Sequence, residues 1–150
     1  MNRLAPALLI LAVLAAGCEP SGGESAPAGL SVREAWVRPA PPGAHMTAAY
    51  MVIANPGRAP AFLTGVSSPA FGEAEVHATV IIDGVSRMRH QPRVEVPPGG
   101  ELALAPGGLH VMLMQPLDGM PAEGDVGLVL EFEDGRTLSI EAPVGNRAQP

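Results

Sequence analysis

Proline and glycine interrupt this chain so often that no long helix fits into it. Its 150 residues include 17 Pro and 18 Gly. A proline inside a helix removes a hydrogen bond and clashes with the preceding turn, and no window offers an uninterrupted, capped amphipathic series. Many of the segments between the breaks alternate apolar and polar residues with period 2, the pattern of a half-buried strand. They predict strands over 30–38, 47–55, 61–68, 72–82, 93–97, 101–105, 109–114, 126–133 and 137–144. The gaps carry turn chemistry: "NPG" (55–57), "DG" (83–84), "PPGG" (97–100), "PGG" (106–108) and "DG" (134–135). "LEFEDGRTLSI" (130–140) reads as a hairpin with a tight primed turn at Asp134-Gly135. Short strands spaced in this way predict an all-β, Greek-key sandwich or barrel, one domain spanning residues 30–145.

The beginning of the chain has a different character. "MNRLAPALLILAVLAAGCEP" combines one early Arg, an apolar run from Leu4 to Ala16 and a small-residue exit. That is the layout of a secretory signal, and the run falls short of the roughly 20 residues that span a bilayer. Cys18, the sole cysteine, follows "LAAG" directly and resembles the lipidated cysteine of a bacterial lipobox, with Ala15 where a Leu is usual. The expected organisation is a signal peptide over 1–17, then a lipidated Cys18 and a flexible Gly/Ser/Pro/Ala tether to residue 29. The folded domain would hang on the periplasmic or extracytoplasmic face of a bacterial membrane, held by the lipid anchor alone.

Composition removes several function classes. The net charge is −6, and loss of Arg3 with the signal makes it −7, which argues against nucleic-acid binding. All nine basic residues are Arg, so lysine-based covalent catalysis is absent. One cysteine allows neither an intrachain disulfide nor a CxxC redox centre, and it cannot serve a blue-copper site while it carries lipid. No GxSxG motif or Gly-rich phosphate cradle occurs, so the chain does not read as an enzyme. The carboxylate pairs Glu73/Glu75 and Glu131/Glu133 alternate along strands and read as a solvated sheet face.

Four His and seven Met remain, of which Met1 leaves with the signal. In "GGLHVMLM" (107–114), His110, Met112 and Met114 fall on one face of a strand. Packing alone accounts for such a face, because Met fills gaps and a lone His is commonly hydrogen-bonded. A metal site accounts for it equally well. With imidazole and thioether donors and no free thiol, that metal would be copper, and thioether sulfur suits Cu(I).

His77, Met88, His110 and Met112 together form H-x10-M-x21-H-x-M. This spacing resembles the signature of the periplasmic copper chaperones called PCu(A)C. "AWVRPAPPG" (35–43), "AAYMVIAN" (48–55), "SSPAF" (67–71), "VEVPPGGELALAPGGLHVMLM" (94–114) and "LEFEDG" (130–135) agree with it. The resemblance covers most of residues 30–144 and implies a cupredoxin-like sandwich with one exposed Cu(I) site built from those four residues. It also implies a monomeric carrier that delivers copper to the subunit of cytochrome c oxidase holding the CuA centre, or to another copper-assembly protein. Copper buffering or acquisition without an oxidase acceptor needs the same ligands and is the alternative.

The remaining donors take lesser roles at this stage. Met88 is expected in a loop after "DGVSR", closing over the metal. Met114 and His90 are expected beside the site without binding the ion. His45 and Met46 read as a solvated loop, with a weak copper or acceptor contact as the alternative. Met51 is assigned to the core, Met120 to a loop cap over it, and Trp36 to core or edge burial. The end, "GNRAQP", carries no His- or Met-rich tail.

Overall fold

The computed structural model describes residues 29–145. The signal segment, Cys18 and most of the tether lie outside the described residues, as do residues 146–150. Ten strands account for the fold: β1 (Ser31–Val37), β2 (Met46–Asn55), β3 (Ala61–Ser67), β4 (Phe71–Ile82), β5 (Val85–His90), β6 (Val94–Val96), β7 (Gly100–Leu104), β8 (Leu109–Pro116), β9 (Asp125–Phe132) and β10 (Thr137–Pro143). No helix occurs among the described residues.

The strands form two antiparallel sheets. One runs β1-β2-β8-β4-β5, with β7 also on β2; the other runs β10-β9-β3-β6. Strand β2 shares one edge between two partners, since Met46–Ala49 pair with β8 while Met51–Asn55 pair with β7. The "PGG" turn between those partners makes this arrangement possible, with Gly107 at φ +80°, a conformation that side chains resist. At one edge the sheets are drawn together by a parallel bridge between Val37 and Val144, and Gly145 N–H donates to the Val37 carbonyl at 3.0 Å.

Alternation decides what each strand contributes to the interior. On β8, Val111 and Leu113 are fully buried between the sheets; on β9, Val126, Leu128, Leu130 and Phe132 do the same from the opposite side. A single core cluster results, joined by Met51, with Met120 packed against it from a loop, as expected of both. The buried side chain of Asn55 ties a turn to this core. Its amide donates to the carbonyls of Ala59 and Val96 at 2.9 and 3.1 Å, and its oxygen accepts from Gly57 N–H.

Two expectations are corrected. Residues 85–90 form strand β5, so Met88 lies on an edge strand and not in a loop. All six residues of β5 are exposed, which leaves no buried face to produce an alternating pattern; the charged Arg87 and Arg89 suit an unpaired edge. The two Asp-Gly turns also differ from each other. Asp83 (φ 53°) and Gly84 (φ 76°) both adopt left-handed geometry between paired Ile82 and Val85, which is the primed two-residue turn. At Asp134-Gly135 only the glycine has positive φ. Gly135 N–H donates to the Phe132 carbonyl and Phe132 N–H to the Arg136 carbonyl, each at 2.9 Å, the pattern of an ordinary turn followed by a glycine bulge.

Candidate metal centre

Residues facing each other across an antiparallel ladder share a sheet face, so the register maps the outer face of the larger sheet. His110 of β8 faces His77 of β4, which faces His90 of β5. One step along, Met112 lies between Ala48 of β2 and Glu75 of β4; one step further, Met114 lies between Met46 and Glu73. In the other direction Met88 faces Thr79, two residues from His77 on the same face. A diagonal cross-strand neighbour of this kind is within reach of a long side chain. His77, Met88, His110 and Met112 thus meet on one patch of three adjacent strands.

An outward face would ordinarily be wet, yet His110 and Met112 are only 4% and 9% exposed. The cover comes from the proline-rich segment after β1. Arg38 N–H donates to the Ala48 carbonyl at 2.9 Å, and the Thr47 hydroxyl donates to the Arg38 carbonyl at 2.6 Å, which pins residues 38–41 beside β2. Arg38, Pro39, Ala40 and Pro41 then form one wall of a cavity of about 300 Å³, with His110, Met112, Met88 and Met46 on the other sides. Tyr50 backs the site, its ring centroid 6.5 Å from that of His110 and 4.6 Å from that of Trp36. Burial raises the Tyr50 phenol above its ordinary pKa, opposed by the Arg38 guanidinium 5.3 Å from its ring.

The two imidazoles are held by their second nitrogens. His110 Nδ1 is 3.0 Å from the Gly108 carbonyl, which can only accept, so Nδ1 carries the proton and Nε2 presents its lone pair. His77 Nε2 lies 3.0 Å from a Glu75 carboxylate oxygen, and by the same logic Nδ1 is its free acceptor. Both free nitrogens, His110 Nε2 and His77 Nδ1, are buried and lack a hydrogen-bond partner. An unpaired buried acceptor costs about 1–3 kcal/mol, so two on facing residues call for an explanation. A shared ion would supply one. Two imidazoles bound to one ion at about 2.0–2.1 Å keep their ring centroids within roughly 6.4 Å; these rings are 6.3 Å apart.

No three His, Cys, Asp or Glu side chains converge on a metal-sized space among the described residues. A zinc site of three such donors is therefore not offered among the described residues, and the side-chain donors left beside the two imidazoles are methionine sulfurs. That donor set fits a soft monovalent cation. Met112 is buried beside His110, whereas Met88 is 59% exposed on the edge strand.

The structure puts His90 and Met114 beside the site and His45 in the open, as expected, and changes the standing of Met46 and Glu75. His90 packs edge-on against His77 with centroids 5.8 Å apart, and Met114 sits on the same face beyond Met112. His45 is exposed, but Met46 opens β2 and lines the cavity, against its reading as solvated loop. Glu75 is part of the site and not of a solvated face. Its position two residues before His77 on one strand was the available signal, since a carboxylate there can orient the ring.

Relatives of this chain share this architecture. The family described as "Putative lipoprotein LpqE-like" matches residues 30–144, and the chain belongs to it. "Putative lipoprotein Lxx21020" of Leifsonia xyli subsp. xyli is 36% identical over 117 residues, covering 77% of this chain and 69% of that protein. Among solved structures, the copper-bound PCuAC domain from PmoF2 superimposes with a TM-score of 0.63 at 26% identity, covering 77% of this chain and 91% of that one. The Cu(I) form of DR1885 from Deinococcus radiodurans gives 0.60 at 30% identity, covering 83% and 82%. The fold is that of PCuAC domains, the cupredoxin-like sandwich expected from the sequence.

Proposed function

We propose that this protein is an extracytoplasmic Cu(I) carrier, tethered to a bacterial membrane through lipidated Cys18, which holds one copper ion and passes it on without catalysis. The ligands are His77, Met88, His110 and Met112. The observation that carries this reading is the pair of buried, unpartnered imidazole nitrogens on facing residues, with Met88 and Met112 lining one cavity beside His110. The copper-bound relatives of the same fold support it, and the lipoprotein relatives support the tether.

The residues divide the work. Glu75 and the Gly108 carbonyl fix the tautomers of His77 and His110, so both rings offer lone pairs without rearrangement. Met112, buried, supplies sulfur that needs no deprotonation and resists the oxidation to disulfide that threatens thiols outside the cytoplasm. Met88, exposed at the sheet edge, is the ligand that an acceptor's own donor displaces first. The acceptor we propose is the CuA-bearing subunit of cytochrome c oxidase or a protein of its copper assembly. The acidic balance of the chain suits a basic docking face.

The test is a Cu(I) titration against a competing chromogenic chelator, run on wild type and on Met88→Leu/Met112→Leu, followed by mixing the loaded protein with an apo CuA domain. One tight equivalent, lost in the double variant and transferred to the CuA domain, is the expected result. Absence of a tight equivalent in wild type would refute copper carriage, and retention without transfer would refute delivery to CuA.

A further inference from the structure

The methionines of the folded domain divide into two groups. Met51 and Met120 serve the core, whereas Met46, Met88, Met112 and Met114 are absent from the core cluster and lie on the outer face of one sheet. Two of these four, Met46 and Met114, have no place in the ligand set above. They are direct partners across β2 and β8, and Glu73 faces Met114 from β4. Met46 is 53% exposed and lines the same cavity as His110, Met112 and Met88. Packing gives little reason to place an unbranched thioether at so exposed a position.

We infer that Met46 and Met114 form a second, weaker site for a soft monovalent cation at the mouth of the copper cavity, Cu(I) in its native setting. Directly opposed cross-strand residues hold their Cβ atoms about 4.5–5.5 Å apart, so two flexible thioether arms can close on one ion. Glu73, whose carboxylate accepts a hydrogen bond from Gln115 Nε2 at 3.2 Å, adds a negative charge opposite the pair. Met114 lies two residues from Met112, about 7 Å along the strand, so an ion can step between the sites while one sulfur stays bound. Two thioethers without imidazole bind more weakly than the His- and Met-lined centre, which suits a site for loading and unloading. That role rests on the cavity being a Cu(I) carrier, but the site has its own ligands and is measured separately.

The experiment is a titration of the mature full-length protein in detergent with Ag(I), an air-stable stand-in for Cu(I). Binding is followed by calorimetry and by the 13C shifts of the methionine methyl groups. Wild type should take one tight equivalent that moves Met88 and Met112, then a second, at least 100-fold weaker, that moves Met46 and Met114. Met46→Leu/Met114→Leu should keep the first and lose the second, while Met88→Leu/Met112→Leu should lose the first and keep the second. A single equivalent in wild type that moves only Met88 and Met112, a second one that survives Met46→Leu/Met114→Leu, or methyl shifts of Met46 and Met114 during the tight equivalent would overturn the second site. Loss of the first equivalent alone from wild type would instead overturn the carrier reading, so the two failures are distinct.

Discussion

Met112 and Leu113 are neighbours on β8 that face opposite ways, and conservative changes at the two positions should have opposite consequences. Leu113 is fully buried between the sheets. Leu113→Ala leaves a cavity there and should cost about 2–5 kcal/mol, lowering the melting temperature of the apo-protein by roughly 8–20 °C. The folded fraction should bind Cu(I) as wild type does, because the outer face is untouched. Met112→Leu keeps nearly the same volume at a site that is 9% exposed and should cost under about 1.5 kcal/mol. It deletes a sulfur that we propose as a ligand, however. Loss of a group that only orients a metal ligand weakens binding about 10–100-fold, so loss of the ligand itself should cost at least that, or roughly 1.4–2.7 kcal/mol. Chelator competition gives the affinity and apo-protein melts give the stability. If Met112→Leu held Cu(I) within about twofold of wild type, the ligand assignment would be wrong. Equal loss of affinity in both variants would show that Met112 acts through general packing.

Three further outcomes are expected. Glu75→Gln removes the carboxylate beside His77 Nε2 and should weaken Cu(I) binding about 10–100-fold with little change in apo-protein melting. Gly84→Ala meets no neighbouring atom but must adopt φ +76°, so denaturant unfolding should show a loss of about 1–2 kcal/mol, the usual cost of that conformation for a residue with a side chain. Glu133 and Asp134 are held below their ordinary pKa values, chiefly by hydrogen bonds from Arg93 and Arg136 respectively. Both bind fewer protons folded than unfolded, so their stabilisation is complete above about pH 5 and is lost as pH falls through the depressed values. Both side chains are about half exposed and screened by solvent, so the acid limb of a stability-versus-pH curve should flatten in Arg93→Gln and in about 0.5 M NaCl.

Nine of the ten strands could be read from the sequence because each contacts the core on one face, which writes period 2 into the residues. The tenth, β5, could not, since an edge strand exposed on both faces carries no such signal. The four proposed ligands were legible through their spacing, and the common face of His110 and Met112 follows from alternation alone, a property of any strand. That these residues sit on a covered outer face was not legible. It depends on hydrogen bonds from residues 38 and 47 that fold a proline-rich segment over β8, a strand more than sixty positions away. The same is true of Met46, which looks like loop in the chain and lines the cavity in the fold, and of Met88, whose place beside His77 is set by the register of the β4–β5 hairpin. Periodicity is local and survives in the sequence. Burial of an outward face, and which donors share it, are fixed only when distant strands pair.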